Sequence, residues 1–228
     1  MPVSFDRDLV FVHLHKTGGM SIARSLRDAG VRLDFVNGSL EEKLRGRSDA
    51  DVERIMTALR HVRPRATPGI ALEHLPALAL REMVGVFWRL AYKVSIVRNP
   101  WDRFVSLYEH ARGLLDDPWH VARPGAFDDH VRDSDSFERF VLEFPANGPD
   151  MSAQLSDESG ADMMDFIGRF ENLEADFAQI CERIGVVAPL VHVNASGRGA
   201  YADYYTPKTQ AAVARRFARD IDRFEYRF

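Results

Sequence analysis

"LVFVHLHKTGGMSIARSL", residues 9–26, runs from an apolar segment into Lys-Thr-Gly-Gly and then into an amphipathic pattern. That order predicts a strand, a tight turn and the first turns of a helix, the layout that aims backbone N–H groups and the positive end of a helix dipole at an anion. Gly18 and Gly19 allow the turn and a close backbone approach. Thr17 and Ser21 bring hydroxyls, and Lys16 brings a full positive charge from the strand side. The spacing is not that of the nucleoside triphosphate loop G-x-x-x-x-G-K-[ST], because the lysine precedes the glycines. A strand–helix turn that merely uses glycines is the competing reading of this stretch alone.

Outward from this loop, short apolar runs at 9–14, 33–36, 70–73, 93–97 and 165–169 read as strands. The longer amphipathic stretches 21–29, 48–60, 100–115, 137–144, 173–184 and 209–217 read as helices. The alternation predicts an α/β fold with a mainly parallel central sheet flanked by helices, whose ligands collect at the carboxyl ends of the strands. Lys16, the pair Glu73 and His74, and Arg98 each follow a predicted strand, so one rim gathers them. The length of 228 residues predicts a single domain over 1–228, with the acidic, proline-containing stretch 116–135 as a loop or lid.

A second stretch, "KVSIVRNPWDRFVSLYEHAR" (93–112), delivers Arg98 at a strand end and starts a helix at Asn99-Pro100. Arg98 and Ser106 then span a strand end and about two helical turns, which suits a guanidinium and a hydroxyl meeting one phosphate. The bland alternative makes Arg98 a surface charge and Ser106 a neutral helix residue.

Together "FVHLHKTGGMSI" and "VRNPWDRFVSLY" resemble the 5′-phosphosulfate loop and the 3′-phosphate segment of sulfotransferases that use PAPS (3′-phosphoadenosine 5′-phosphosulfate), in particular the group with the heparan sulfate 2-O-sulfotransferases and many bacterial relatives. The resemblance extends to "MDFIGRFENLEADF" (164–177), "HVNASGRGAYADYYTP" (192–207) and "DIDRFEYRF" (220–228), in the family's order. It implies a P-loop-like three-layer fold and sulfuryl transfer from PAPS, with PAP as product, to a hydroxyl acceptor, by in-line displacement with a histidine base. The acceptor it implies is a glycan or glycolipid. On the same ground Lys16, Thr17, Gly18, Gly19, Met20 and Ser21 would hold the 5′ side, with Lys16 also stabilising the leaving oxygen. Arg98 and Ser106 would hold the 3′-phosphate, Ser196, Arg198 and Tyr201 would sit in a loop over the cofactor, and His74 would be the base, with Glu73 the alternative. The sequence departs from the family's pattern at His15, where proline is usual, and at Met20, where threonine is usual.

Composition narrows the field. The net charge of −4 excludes a broad nucleic-acid surface, and no run approaches the roughly 20 apolar residues of a membrane span. The acidic start "MPVSFDRD" lacks the build of a signal peptide, so the expectation is a cytoplasmic protein. The single cysteine, Cys181, allows no internal disulfide and no multi-cysteine metal site, and sulfuryl transfer needs no metal in principle. Two rivals remain open at this point. One is a P-loop nucleotide kinase, despite the missing GK[ST] and the lack of a clear magnesium-holding carboxylate after a strand. The other is a non-catalytic PAP(S)-binding protein on the same fold, which His15 and Met20 would permit.

Overall fold

The apolar run that opens the motif forms the second strand of a four-stranded sheet in the computed structural model, which describes residues 2–34, 40–63, 74–114, 134–144, 150–193 and 199–228. In chain order, β1 (Val3–Ser4) and β2 (Leu9–Val12) precede α1 (Gly19–Asp28), α2 (Leu40–Leu44), α3 (Asp49–Val62), α4 (Ala77–Val84) and α5 (Phe87–Leu90). Then come β3 (Tyr92–Val97), α6 (Pro100–Leu114), α7 (Phe137–Glu143), α8 (Met151–Leu155) and β4 (Phe166–Arg169). A 3₁₀ turn (Phe170–Asn172), α9 (Leu173–Arg183), a second 3₁₀ turn (Tyr201–Tyr204), α10 (Pro207–Arg216) and α11 (Ala218–Phe224) complete the order. Among the described residues the contacts fall into two compact units, residues 1–97 with 149–194, and residues 98–148 with 195–228.

The first unit holds the whole sheet, in the order β1-β2-β3-β4. β2, β3 and β4 are parallel, with Phe11 opposite Val94 and Val94 opposite Phe166, and β1 is an antiparallel edge. This is the mainly parallel α/β architecture that the alternation predicts. Leu9, Phe11, Val94 and Ile96 point from one face into a core shared with Ile22 and Leu26 of α1 and with Leu173, Phe177 and Ile180 of α9. Cys181 is buried in that core. Val10, Val12 and Val97 on the other face are equally buried, which is why these strands read as continuous apolar runs rather than as alternations.

Two expected strands need comment. Of the run 33–36 only 33–34 are described, and Asp34 makes an isolated bridge to Val3 rather than a strand. The run 70–73 lies outside the described residues, as does the expected loop 116–135 apart from its last two positions. Helix α1 begins at Gly19 and not at Ser21, because the left-handed Gly18 (φ 85°) acts as its N-cap.

The second unit is helical and aromatic. Phe104 of α6 meets Phe140 and Phe144 with ring centroids 5.3 and 4.9 Å apart, and Phe217 at 5.8 Å. Trp101 is buried, its indole N–H donates to the Gln210 carbonyl (3.1 Å), and its own carbonyl accepts from the Tyr205 hydroxyl (2.9 Å). The ring of Phe228 stands edge-on to Trp101, Tyr201 and Tyr205. Trp101 is therefore a packing residue.

Gly168 of β4 lies where a Cβ would come within 2.7 Å of Ile96 Cδ1 and 2.9 Å of the Asp176 Cβ. We expect Gly168→Ala to cost about 1–3 kcal/mol of stability through overpacking of β4 between β3 and α9. Chemical denaturation of the two proteins, compared at equal m-value, measures it.

Candidate active site

In the first unit, the chain leaves β2 through His13 and Leu14 and turns through Lys16, Thr17 and Gly18 into α1. Lys16 (φ 64°) and Gly18 (φ 85°) are both left-handed. Left-handed residues in a turn bend successive N–H groups toward a common concave spot. For glycine this conformation is free of strain, whereas for lysine it costs about 1–2 kcal/mol. Nothing caps α1: Gly18 has no side chain to offer, and no acidic residue stands in the first turn. Helix α3 is the contrast, with Ser48 accepting from the Asp51 N–H and two aspartates in its first turn. The Ser21 N–H donates to the Gly18 carbonyl (3.0 Å), and the N–H groups ahead of it and the positive dipole end of α1 are thus offered to an anion.

Each glycine of the loop answers to a particular neighbour. A Cβ on Gly19 would overlap the imidazole of His13, and one on Gly18 would come within 2.9 Å of Leu173 and 3.1 Å of Phe170. The stretch 164–177 therefore supports the loop from below. Asp176, buried on α9, accepts from the Arg169 N–H with one oxygen and from the Asn172 side-chain amide with the other (3.0 Å). Those bonds fix the 3₁₀ turn that carries Phe170 against Gly18.

The hydroxyls are already engaged. Thr17 is fully buried and its hydroxyl donates to the Leu14 carbonyl (2.9 Å), so what it can offer an anion is its backbone N–H. Ser21 is buried and its oxygen accepts from the Val193 N–H (3.1 Å), which leaves its hydroxyl hydrogen as the donor. Met20 is an exposed side chain on the first turn of α1.

Three imidazoles cluster beside this loop. His74 lies with its ring centroid 4.8 Å from that of His13 and 4.7 Å from that of His15, the latter edge-on. His74 Nδ1 is 3.2 Å from the His13 carbonyl oxygen. Since a carbonyl only accepts, Nδ1 carries the hydrogen in that contact. His13 stacks on Phe11 and is half-buried. Burial first, then the neighbouring His74 and the more distant positive charges including Lys16, hold its imidazole well below the ordinary 6.5, so it is neutral. Glu73 lies outside the described residues, as do Ser196 and Arg198.

In the second unit, Arg98 is the residue directly after β3 and is almost wholly buried. Its Nε donates to Asp102 Oδ2 at 2.7 Å, a pair one helical turn apart. Asn99 N-caps α6 by accepting from the Trp101 N–H (3.0 Å), and its side-chain amide donates to the Arg227 carbonyl (2.8 Å). Ser106 is half-buried one turn beyond Asp102, on the same face of α6. Tyr201 is half-buried in its 3₁₀ turn, against Phe228.

Asp102 and Asp176 are the parts that the sequence reading passed over. Asp102 had a legible signal, the Arg-x-x-x-Asp spacing at a helix start. Asp176 had none, because its effect on the loop passes through Phe170 to Gly18, about 150 residues earlier in the chain.

Residues 2–227 match the model of the sulfotransferase family. The chain belongs to that family. No curated protein matches it. Membership makes sulfuryl transfer from a sulfate donor to a hydroxyl acceptor the general activity, and it accounts for a phosphate-type loop that lacks the triphosphate signature. Among the described residues no helix is long and apolar enough to cross a membrane.

Two outcomes follow for the loop. Lys16→Gly removes the left-handed strain, so thermal unfolding should show a variant at least as stable as the parent, even though its charge is gone. For His13, the unfolded chain binds a proton below about pH 6.5 that the folded chain refuses. Stability is therefore fullest above that pH and falls as the pH drops toward the depressed folded value. Melting temperatures between pH 7.5 and 5.5 should decline less steeply for His13→Gln than for the parent.

Proposed function

We propose that this sulfotransferase uses PAPS as donor and transfers its sulfuryl group to a hydroxyl of a saccharide, on a glycan or glycolipid. The observation that carries the donor assignment is the loop of residues 15–21, with a left-handed lysine, two glycines and an uncapped helix start, in a chain that matches the family end to end. The assignment of residues follows the sequence resemblance. Lys16, the N–H groups of Thr17 to Met20 and the Ser21 hydroxyl would take the 5′-phosphosulfate. Arg98, held by Asp102, and Ser106 would take the 3′-phosphate, and Ser196, Arg198 and Tyr201 would close over the cofactor. The reaction is read as cytoplasmic, where nucleotide cofactors are abundant.

PAPS supplies a sulfuryl group already activated by attachment to a phosphate leaving group. What remains for the protein is to align, to neutralise and to accept a proton. His74 would take the proton of the acceptor hydroxyl through Nε2, the ring nitrogen that does not face the His13 carbonyl, as the acceptor oxygen bonds to sulfur. Lys16 balances the charge that appears on the bridging oxygen as the old S–O bond breaks. Asp102 fixes the Arg98 guanidinium through Nε, which orients the remaining N–H groups of that fork.

Calorimetric titration with PAP, 5′-AMP and ATP-Mg tests the donor. PAP should bind at micromolar strength, with AMP far weaker and ATP-Mg negligible. Lys16→Ala and Arg98→Glu should each weaken PAP by roughly tenfold to a hundredfold or more, the size of a lost charge-assisted hydrogen bond. A folded parent that ignores PAP, or two variants with undiminished affinity, would sink the reading. His74→Ala should leave PAP binding intact and remove turnover with a saccharide acceptor.

A further inference from the structure

The first unit carries a cleft of about 670 Å³ at the end of its sheet opposite the anion loop. Tyr92 and Lys93, where β3 begins, form one side of it, together with the turn ahead of β2, the end of α5 and Arg183, the last residue of α9. Four basic and three acidic side chains line it, so neither sign prevails. Lys93 and Asp165 neutralise each other there at 2.8 Å. The rest are not matched within the chain. Arg7, Arg89 and Asp8 make no side-chain hydrogen bond or ion pair among the described residues, and Arg183 lies over the Tyr92 ring, 5.4 Å from its centroid. Asp6 accepts from the Ser4 hydroxyl (2.6 Å) and carries its charge outward.

Beside the cleft the surface turns apolar. Val86 (82% exposed) and Leu90 (74%) are four residues apart on one face of α5, and Phe5 (47%) meets Phe87 of the same helix with ring centroids 4.7 Å apart. Val86, Leu90 and Phe5 are three of the seven large apolar side chains exposed among the described residues, gathered on one helix and the turn beside it. An apolar centre with a charged rim is the build of a protein–protein contact.

The charges select the partner. A polyanion or an anionic bilayer would meet Asp6, Asp8 and the negative dipole end of α9 along with the arginines. A second copy of the same face brings both signs. Across a two-fold axis the arginines of one copy reach the aspartates of the other, and the reverse. Three apolar side chains cannot supply the roughly 800 Å² per partner of a standard interface, so the charged cleft has to belong to the contact.

We propose that this face is the interface of a two-fold symmetric dimer of the chain, with Val86 and Leu90 at its centre and Arg89 on its charged rim. The dimer is independent of the donor assignment. Lys16 follows the other end of β2, so the contact leaves the anion loop of each copy clear.

Sedimentation velocity of the full chain across about 1–100 µM tests it. A dimer should form with a midpoint in the micromolar range or below, weaker at high salt because its rim is charged. Leu90→Asp and Val86→Asp change exposed positions, should keep the parental far-ultraviolet circular dichroism, and should each weaken the dimer about tenfold or more. Arg89→Glu and Asp6→Lys should each weaken it as well. An equimolar mixture of those two should associate about tenfold more tightly than either alone, because the altered faces are then of opposite charge. A parent that stays monomeric throughout overturns the proposal, and if it also pellets with phosphatidylcholine vesicles containing phosphatidylglycerol, the face belongs to a bilayer instead. A dimer indifferent to Leu90→Asp, Val86→Asp and Arg89→Glu uses another surface and overturns it too, as does a mixture no tighter than its components.

Discussion

The ring of His13 lying against Gly19 leaves no room for a single carbon atom, and most of what surrounds the anion loop follows from that contact. The glycine lets the imidazole fold back over the start of α1, and the ring then stacks on Phe11 of the core. The carbonyl of the same residue faces His74 Nδ1. One residue thus ties the sheet, the helix start and the proposed base together. On the other side of the loop, Phe170 and Leu173 close against Gly18 in the same manner. The loop is shaped by what presses on it from both sides, so its glycines serve the protein's own packing as well as any ligand.

Charge in this molecule is arranged by burial and pairing. Arg98 is nearly out of solvent and has Asp102 one turn away, so the guanidinium is fixed before any phosphate arrives. Such pre-orientation lowers the entropy to be lost on binding. Lys16 is held differently, by a backbone conformation that lysine does not favour and that the flanking contacts impose. The two cations that the sequence singles out are both constrained, one through its side chain and one through its main chain.

Much of the fold was legible because it rests on local pattern. The runs at 9–12, 92–97 and 166–169 announce buried parallel strands, and the strand–turn–helix order around Lys16 reads directly from residue type. Helices with weak amphipathic signal were not legible: α4, α5, α8 and α11 are short or apolar nearly throughout, and only tertiary packing defines them. Of the strand expected at 33–36, the described part makes a single bridge from Asp34 to Val3. At the site, residue identity pointed to Lys16, Arg98 and His74, but not to the engaged hydroxyl of Thr17 or the support that Asp176 gives. The first is a local turn bond to the Leu14 carbonyl that residue type does not announce, and the second reaches the loop only through Phe170, about 150 residues after Gly18.

The parallel pairing has a consequence for how the chain acquires its shape. β2 joins β3 across about eighty residues and β3 joins β4 across about seventy, so every parallel contact in the sheet closes a long loop. The first unit is also discontinuous, its second segment following the first part of the other unit. Gly18 is made early in synthesis, yet Phe170 and Leu173, which press against it, come near the end. The anion loop is therefore among the last features of the unit to be completed, and a nascent chain holding its whole motif is still without the wall that Phe170 and Leu173 supply.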